Sequence, residues 1–308
     1  MKKIISVLSC VLALTVVSSC DWFELDNQEG WDASVEGQIL DAGTNQTVQF
    51  EQGSSTIAVK EKYGSADANQ YWYVKSNGTF KNNLVFAGDY TMNTLSSNFV
   101  AEEQAFKLAK GSNTVNFKVT PYVRIENVTW AMEGKKIKAT CKVSSPVSGV
   151  NNIGEVRLCI AVDRFVSYSN NGAKGDDGAY VTDMAPDGTS GTITLVIDPD
   201  KVNANGVKVN AQEFQYDQVH YVRVAALGAH YAIVPEWEEE VTTDEFDMDA
   251  YVAAGMPSDW WNYFKKIKVT HPASYTNDGT VNSGNAYNYS PVYKVDLKAG
   301  TFTEVTDW

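Results

Sequence analysis

Four aromatic side chains stand where they could recognise a sugar. Trp260 and Trp261 are flanked by Asp259 and Asn262, Tyr263 follows, and Trp237 lies between Glu236 and Glu238. An indole or phenol face can stack on the C–H patch of a pyranose, while carboxylates and amides exchange hydrogen bonds with its hydroxyls. All four belong to a segment, 231–264, with eight aromatics in 34 residues, about twice the chain's 12%. The same rings would also serve as packing that pins the segment down, or as a protein contact.

Other chemistry is poorly supported. His220, His230 and His271 are the only histidines, and their separation is not that of a metal site. Asp176-Asp177, inside a glycine-rich stretch, could offer oxygens to calcium but lacks the alternating acidic pattern of a calcium loop, so a plain turn is expected. Glu236 to Glu240 and Asp244 to Asp249 supply carboxylates, yet a run of charges reads as a solvated face before it reads as a glycosidase pair. No nucleophile elbow, phosphate loop or dinucleotide fingerprint is present. The expectation is therefore no catalytic residue, no metal and no cofactor.

The N-terminus carries the strongest localising signal. Lys2 and Lys3 precede an apolar run, Ile4 to Val17, which ends in Ser18-Ser19-Cys20. This is the layout of a secretory signal, and Val17 to Cys20 resembles the bacterial lipobox, which implies cleavage after residue 19 and acylation of Cys20. Asp21 to Asp26, rich in acid, resembles the surface-export signal of Bacteroidota lipoproteins. The lipid bilayer is then a partner through acyl chains, and no later stretch is long enough to span it. Loss of residues 1–19 leaves 23 basic against 38 acidic residues, a net charge of −15. Such a surface disfavours nucleic acid. The mature chain keeps two thiols besides Cys20, Cys141 and Cys159; strand parity turns Cys141 inward and Cys159 outward, so both are expected free.

The residues that must position the aromatic segment read as strands almost throughout, an all-β chain of two tandem sandwiches. Residues 20–33 form a polar tether. The first domain, 34–121, contains alternating runs at Val35–Asp41, Thr56–Glu61, Gln70–Lys75, Thr79–Phe86 and Thr114–Val119, and Pro121 closes it. Its pattern V-x-G-x-I-x-D, then N-G-T-F, then F-A-G-D-Y resembles the carboxypeptidase regulatory-like, or prealbumin-like, sandwich. The second domain, 122–308, has runs at Lys136–Val143, Glu155–Val162, Thr192–Ile197, His220–Ala226 and Pro291–Leu297. Val219 to Ala226 followed by Tyr287 to Val292 resembles the last two strands of a fibronectin type III-like, or immunoglobulin-like, sandwich, except that an insertion, 231–286, replaces the usual short hairpin. Within it Thr243 is placed to cap a helix through Ala254, stopped by Gly255 and Pro257, and Ser258 to cap a second one carrying Trp260, Trp261 and Phe264.

Phe80 to Asn82, Phe86 to Tyr90, Phe117 to Ile125 and Tyr287 to Ser290 together resemble an uncharacterised two-domain lipoprotein family of Bacteroidota found beside starch-utilisation-type glycan importers. That resemblance implies an outer-membrane, surface-exposed lipoprotein that binds oligosaccharide or polysaccharide beside importer proteins. The alternative is a spacer lipoprotein making protein contacts in an outer-membrane complex.

Overall fold

The computed structural model describes residues 30–308 except 54–55, 64–65, 94–96, 101, 149, 151, 183–189, 211–213, 215–218, 230, 273 and 278–286. The expected signal peptide, residues 1–19, and Cys20 therefore lie outside the described residues, as does His230. The protein is an all-β sandwich architecture.

The first half contributes β1 (Ala33–Asp41), β2 (Thr56–Tyr63), β3 (Ala66–Tyr73), β4 (Thr79–Val85), β5 (Gly88–Asn93), β6 (Glu103–Leu108), β7 (Gly111–Thr114) and β8 (Phe117–Val119). One sheet has the order β4-β1-β7, with β8 also parallel to β1, and the other has β3-β2-β5-β6. Period-two alternation sends Val35, Ile39, Ile57, Val59, Val74 and Met92 into one core. A chain of rings, Trp72, Phe80, Tyr90, Phe106 and Phe117, crosses it with neighbouring centroids 5.2 to 6.2 Å apart. The Tyr90 hydroxyl donates to the Phe86 carbonyl at 2.9 Å, which fixes the turn into β5. The strand expected over Thr114–Val119 is broken at Val115-Asn116. There the Val115 carbonyl leans onto β1, where a Cβ at Gly37 would lie 1.6 Å from it. The tether is also shorter than expected: Asp32 already accepts from Ala87 N at 2.7 Å.

The second half contributes β9 (Arg124–Glu133), β10 (Lys136–Ser144), β11 (Asn152–Ala161), β12 (Tyr180–Thr182), β13 (Ser190–Ile197), β14 (His220–Ala229), β15 (Tyr231–Val234), β16 (Trp237–Phe246), β17 (Phe264–His271), β18 (Ser274–Asn277), β19 (Asn288–Tyr289), β20 (Tyr293–Asp296) and β21 (Thr301–Glu304). A sheet of order β13-β10-β9 packs against a six-stranded one of order β12-β11-β14-β20-β21, with β19 also on β14. Ile137, Ala139, Cys141 and Val143 meet Val156, Leu158, Ile160, Val222 and Val224 between them.

The six-stranded sheet is covered on its other face as well. Cys159, expected to face outward, is fully buried there with Ala161, Val166, Ala225, Tyr287, Tyr289 and Val292. Strand parity is obeyed, since the two thiols lie on opposite faces, but the second face is not solvent. Both cysteines are free.

Arg223, on that second face, is 0% exposed. Its Nη1 donates to Phe50 O at 3.0 Å, Ser76 Oγ at 3.1 Å and Val166 O at 3.3 Å, and its Nε to Ser290 O at 3.2 Å. The guanidinium stacks on the Tyr289 ring, 4.1 Å from its centroid, and the Tyr289 hydroxyl donates to Glu51 at 3.0 Å. Burial pulls Arg223 down to about 10, which leaves it charged at neutral pH. A second link between the halves is the two-pronged pair of Arg124 with Asp41, at 2.6 and 2.8 Å. Burial works against the Asp41 charge, but Arg124, Gly43 N and Thr44 outweigh it and hold the carboxyl below its ordinary range. Gly43 leaves room for the guanidinium, since a Cβ there would lie 2.2 Å from Arg124 Nη2.

Arg223→Ala strands several buried acceptors and removes the charge facing Glu51. It should lower unfolding stability by on the order of 3 kcal/mol or more in urea titrations; wild-type stability would mean that the interface does not depend on it. Burial also pushes the thiols up, Cys141 to about 11 and Cys159 to about 12, so neither is ionised at pH 8. A form lacking residues 1–20 should be inert to a thiol reagent when native at pH 8. It should release two reactive thiols on unfolding without reductant.

Candidate functional site

The insertion is partly helical, as expected, but most of it is a two-stranded arm that carries the helical turns at its tip. β15 pairs β18 and β16 pairs β17, so the chain leaves β14, runs out along the arm and returns. The helix expected from Thr243 is absent over 243–246, which belong to β16. Val241, Thr242 and Thr243 favour extended backbone, and β17 offers a complementary partner. Glu238 pairs with Lys268 at 3.0 Å, Glu240 with Lys266 at 2.9 Å, and Glu245 with Lys265. Each exposed pair contributes only about 0–1 kcal/mol, but together they fix register. The acidic run is thus one side of a zipper, and these three glutamates are engaged by lysines.

The arm ends in a compact tip. The helix α1 (Met248–Ala253) starts one residue after β16, with Asp247 as its cap, accepting from Ala250 N at 2.9 Å. Gly255, at φ +80°, ends it, as its position in the sequence suggested. The second helix is only a 3-10 turn, Trp260–Tyr263, preceded by Asp259 rather than Ser258, and Phe264 already belongs to β17. Asp247 N donates to Tyr263 O at 2.7 Å and closes the loop.

The tip holds itself together through rings. Phe246 lies edge-on to Tyr251 and to Phe264, both at 5.3 Å, and Tyr251 meets Tyr263 at 5.4 Å. Tyr263 is therefore half-buried packing. Trp260 leans on Phe264 at the edge of this cluster, 6.1 Å away, and lies 6.2 Å from Trp261 at 73°; the two indoles remain 51% and 58% exposed. Beside them Asn262 Nδ2 donates to Asp259 at 2.9 Å, which leaves the amide oxygen available. An open recess of about 360 Å³ is lined by Asp247, Asn262, Tyr263 and Lys265 among others. Met248, Val252 and Met256 add exposed apolar surface.

Trp237 is not part of this tip. It pairs with His271 at the opposite end of the β16–β17 ribbon, stacked on that ring at 4.2 Å. Nine residue steps along the strand separate it from Phe246, roughly 30 Å. The structure thus brings Trp260, Trp261 and Tyr263 together and leaves Trp237 alone.

The rejected candidates have structural roles. Asp176 is buried and accepts from Gly178 N, Asp198 N and Asn210 Nδ2, as a turn residue does. His220 is buried against Phe214. Among the described residues no group of His, Cys, Asp or Glu could hold a metal, and no helix is long and apolar enough to cross a membrane.

Fold and tip together define an all-β protein that holds an aromatic contact surface out on an arm. Residues 33–120 match the family model described as the N-terminal domain of a protein of unknown function, DUF3823. No curated protein matches the chain. Among solved structures, a "putative carbohydrate binding protein" from Bacteroides uniformis is 23% identical, with 80% of this chain and 100% of that one covered, at a TM-score of 0.55. A DUF3823 family protein from Bacteroides ovatus is 15% identical, with 86% and 99% covered and a TM-score of 0.54. One from Parabacteroides merdae is 20% identical, with 65% and 92% covered and a TM-score of 0.52. These are likenesses of fold, and no catalytic family is indicated.

Proposed function

We propose that this protein is a non-catalytic lipoprotein of the outer-membrane surface that binds glycan as an accessory to polysaccharide uptake. The observation that carries the reading is the exposed Trp260–Trp261 pair beside the Asp259–Asn262 polar pair. Two angled indole faces suit sugar C–H patches, and the amide and carboxylate suit hydroxyls. The solved structure described as carbohydrate-binding supports the same direction. The lipobox-like approach to Cys20 supports the anchor, which would hold the arm outside the cell.

One observation favours a second reading. Met248, Val252 and Met256 add exposed apolar, adaptable surface to the same tip, the composition of a protein contact. In that case the tip docks onto a partner in an outer-membrane complex and the protein acts as a spacer.

Affinity electrophoresis against neutral polysaccharides separates the two. On the glycan reading at least one polysaccharide retards the intact protein, and W260A/W261A weakens that binding about tenfold without lowering thermal stability. Retardation by none, with loss of a partner from outer-membrane pull-downs in the same variant, would favour the spacer. For the anchor, labelled palmitate should enter the wild-type protein in cells and fail to enter Cys20→Ser; an unlabelled wild type would remove the anchor from the account.

A further inference from the structure

We infer that the outer face of the β3-β2-β5-β6 sheet is a second sugar-binding surface, built on Tyr71 and Tyr73. The inference rests on the glycan reading but on none of its residues. The two tyrosines alternate with Trp72 on edge strand β3. Trp72 enters the core, whereas Tyr71 and Tyr73 are 62% and 50% exposed. Their rings stand about 7 Å apart along the strand.

These rings are uncommitted. Trp237 is stacked on His271, and Trp260 lies against Trp261 and Phe264. Tyr71 and Tyr73 stack on no ring or cation, and their hydroxyls make no hydrogen bond, among the described residues. Core packing therefore gives no reason for either.

Their neighbours suit a neutral, hydroxylated ligand. Thr56 pairs with Tyr73, and Ala58 pairs with both Tyr71 and Asn93. Two strand spacings place Asn93 roughly 10 Å from Tyr71. The residue between them is the small Ala58, itself buried. Asn69 and Thr91 flank Lys60 in the next row. The side chains of Thr56, Asn69, Thr91 and Asn93 make no hydrogen bond among the described residues, so their donors and acceptors are unspent. Charges of both signs share the face: Lys60, Lys62 and Glu103, with Lys107 paired to Asp89 at 3.9 Å further along it. Ring faces and free amides and hydroxyls, among charges of mixed sign, fit a neutral oligosaccharide better than a polymer of a single charge or an apolar protein surface.

The test uses the full protein against amylopectin, xyloglucan, galactomannan and laminarin. Y71A/Y73A should weaken binding of at least one of them about tenfold while the melting curve is unchanged. In wild type, tetranitromethane should nitrate both tyrosines, and that glycan should suppress the nitration as read by mass spectrometry. Wild-type retardation of Y71A/Y73A with unprotected tyrosines overturns this inference alone, leaving any binding to the tip. Retardation of wild type by none of the four overturns it together with the proposed function.

Discussion

The arrangement of this protein depends on one buried cation. Taking a guanidinium out of water costs several kcal/mol even after relaxation, and Arg223 recovers that only where acceptors converge on it. Those acceptors come from four separate stretches: Phe50 and Ser76 in the first half, Val166 and Ser290 in the second. The Tyr289 ring covers the group, and Glu51 completes the charge balance through the tyrosine hydroxyl. The second half alone offers only Val166 O, Ser290 O and the ring, so the full set of acceptors requires the two halves to dock in this way. Asn98 reinforces it, donating to Gln49 O and Tyr287 O, while Asn288 donates to Asn98 O.

Legibility in the sequence followed the reach of each signal. A strand with strict alternation, such as β10, is readable because its period and its core face agree. The same alternation assigned Cys159 to solvent, as any single-strand argument must. Only the packing of the loop around Val166 and of the first half onto that face reverses the assignment. The break in the Thr114–Val119 run has the same character: Gly37 marks a close approach, but what approaches it lies almost 80 residues away.

The arm was misread for a different reason. A stretch of glutamates has no strand signature by itself, and Asp244 with Glu245 imitates the first turn of a helix. What makes β16 a strand is β17, whose lysines come from beyond the tip. Complementary charge across a ribbon is visible in a sequence only when two distant runs are considered together. The aromatic excess, in contrast, was legible as composition, although its division into packing rings and exposed indoles required the tip's geometry. Tyr71 and Tyr73 passed unremarked because alternating tyrosines are ordinary in strands.

The two exposed aromatic surfaces lie on opposite sides of the Arg223 contact in chain terms, one on a sheet of the first half and one on an arm growing out of β14 in the second. Linked binding surfaces gain from one another only if their separation matches what the ligand can bridge. A flexible joint would spread that separation over many values and dilute the gain. The buried guanidinium narrows it to one arrangement. It lies on β14, the strand that leads into the arm, so the residue that locks the halves also sits at the root of the element carrying Trp260 and Trp261.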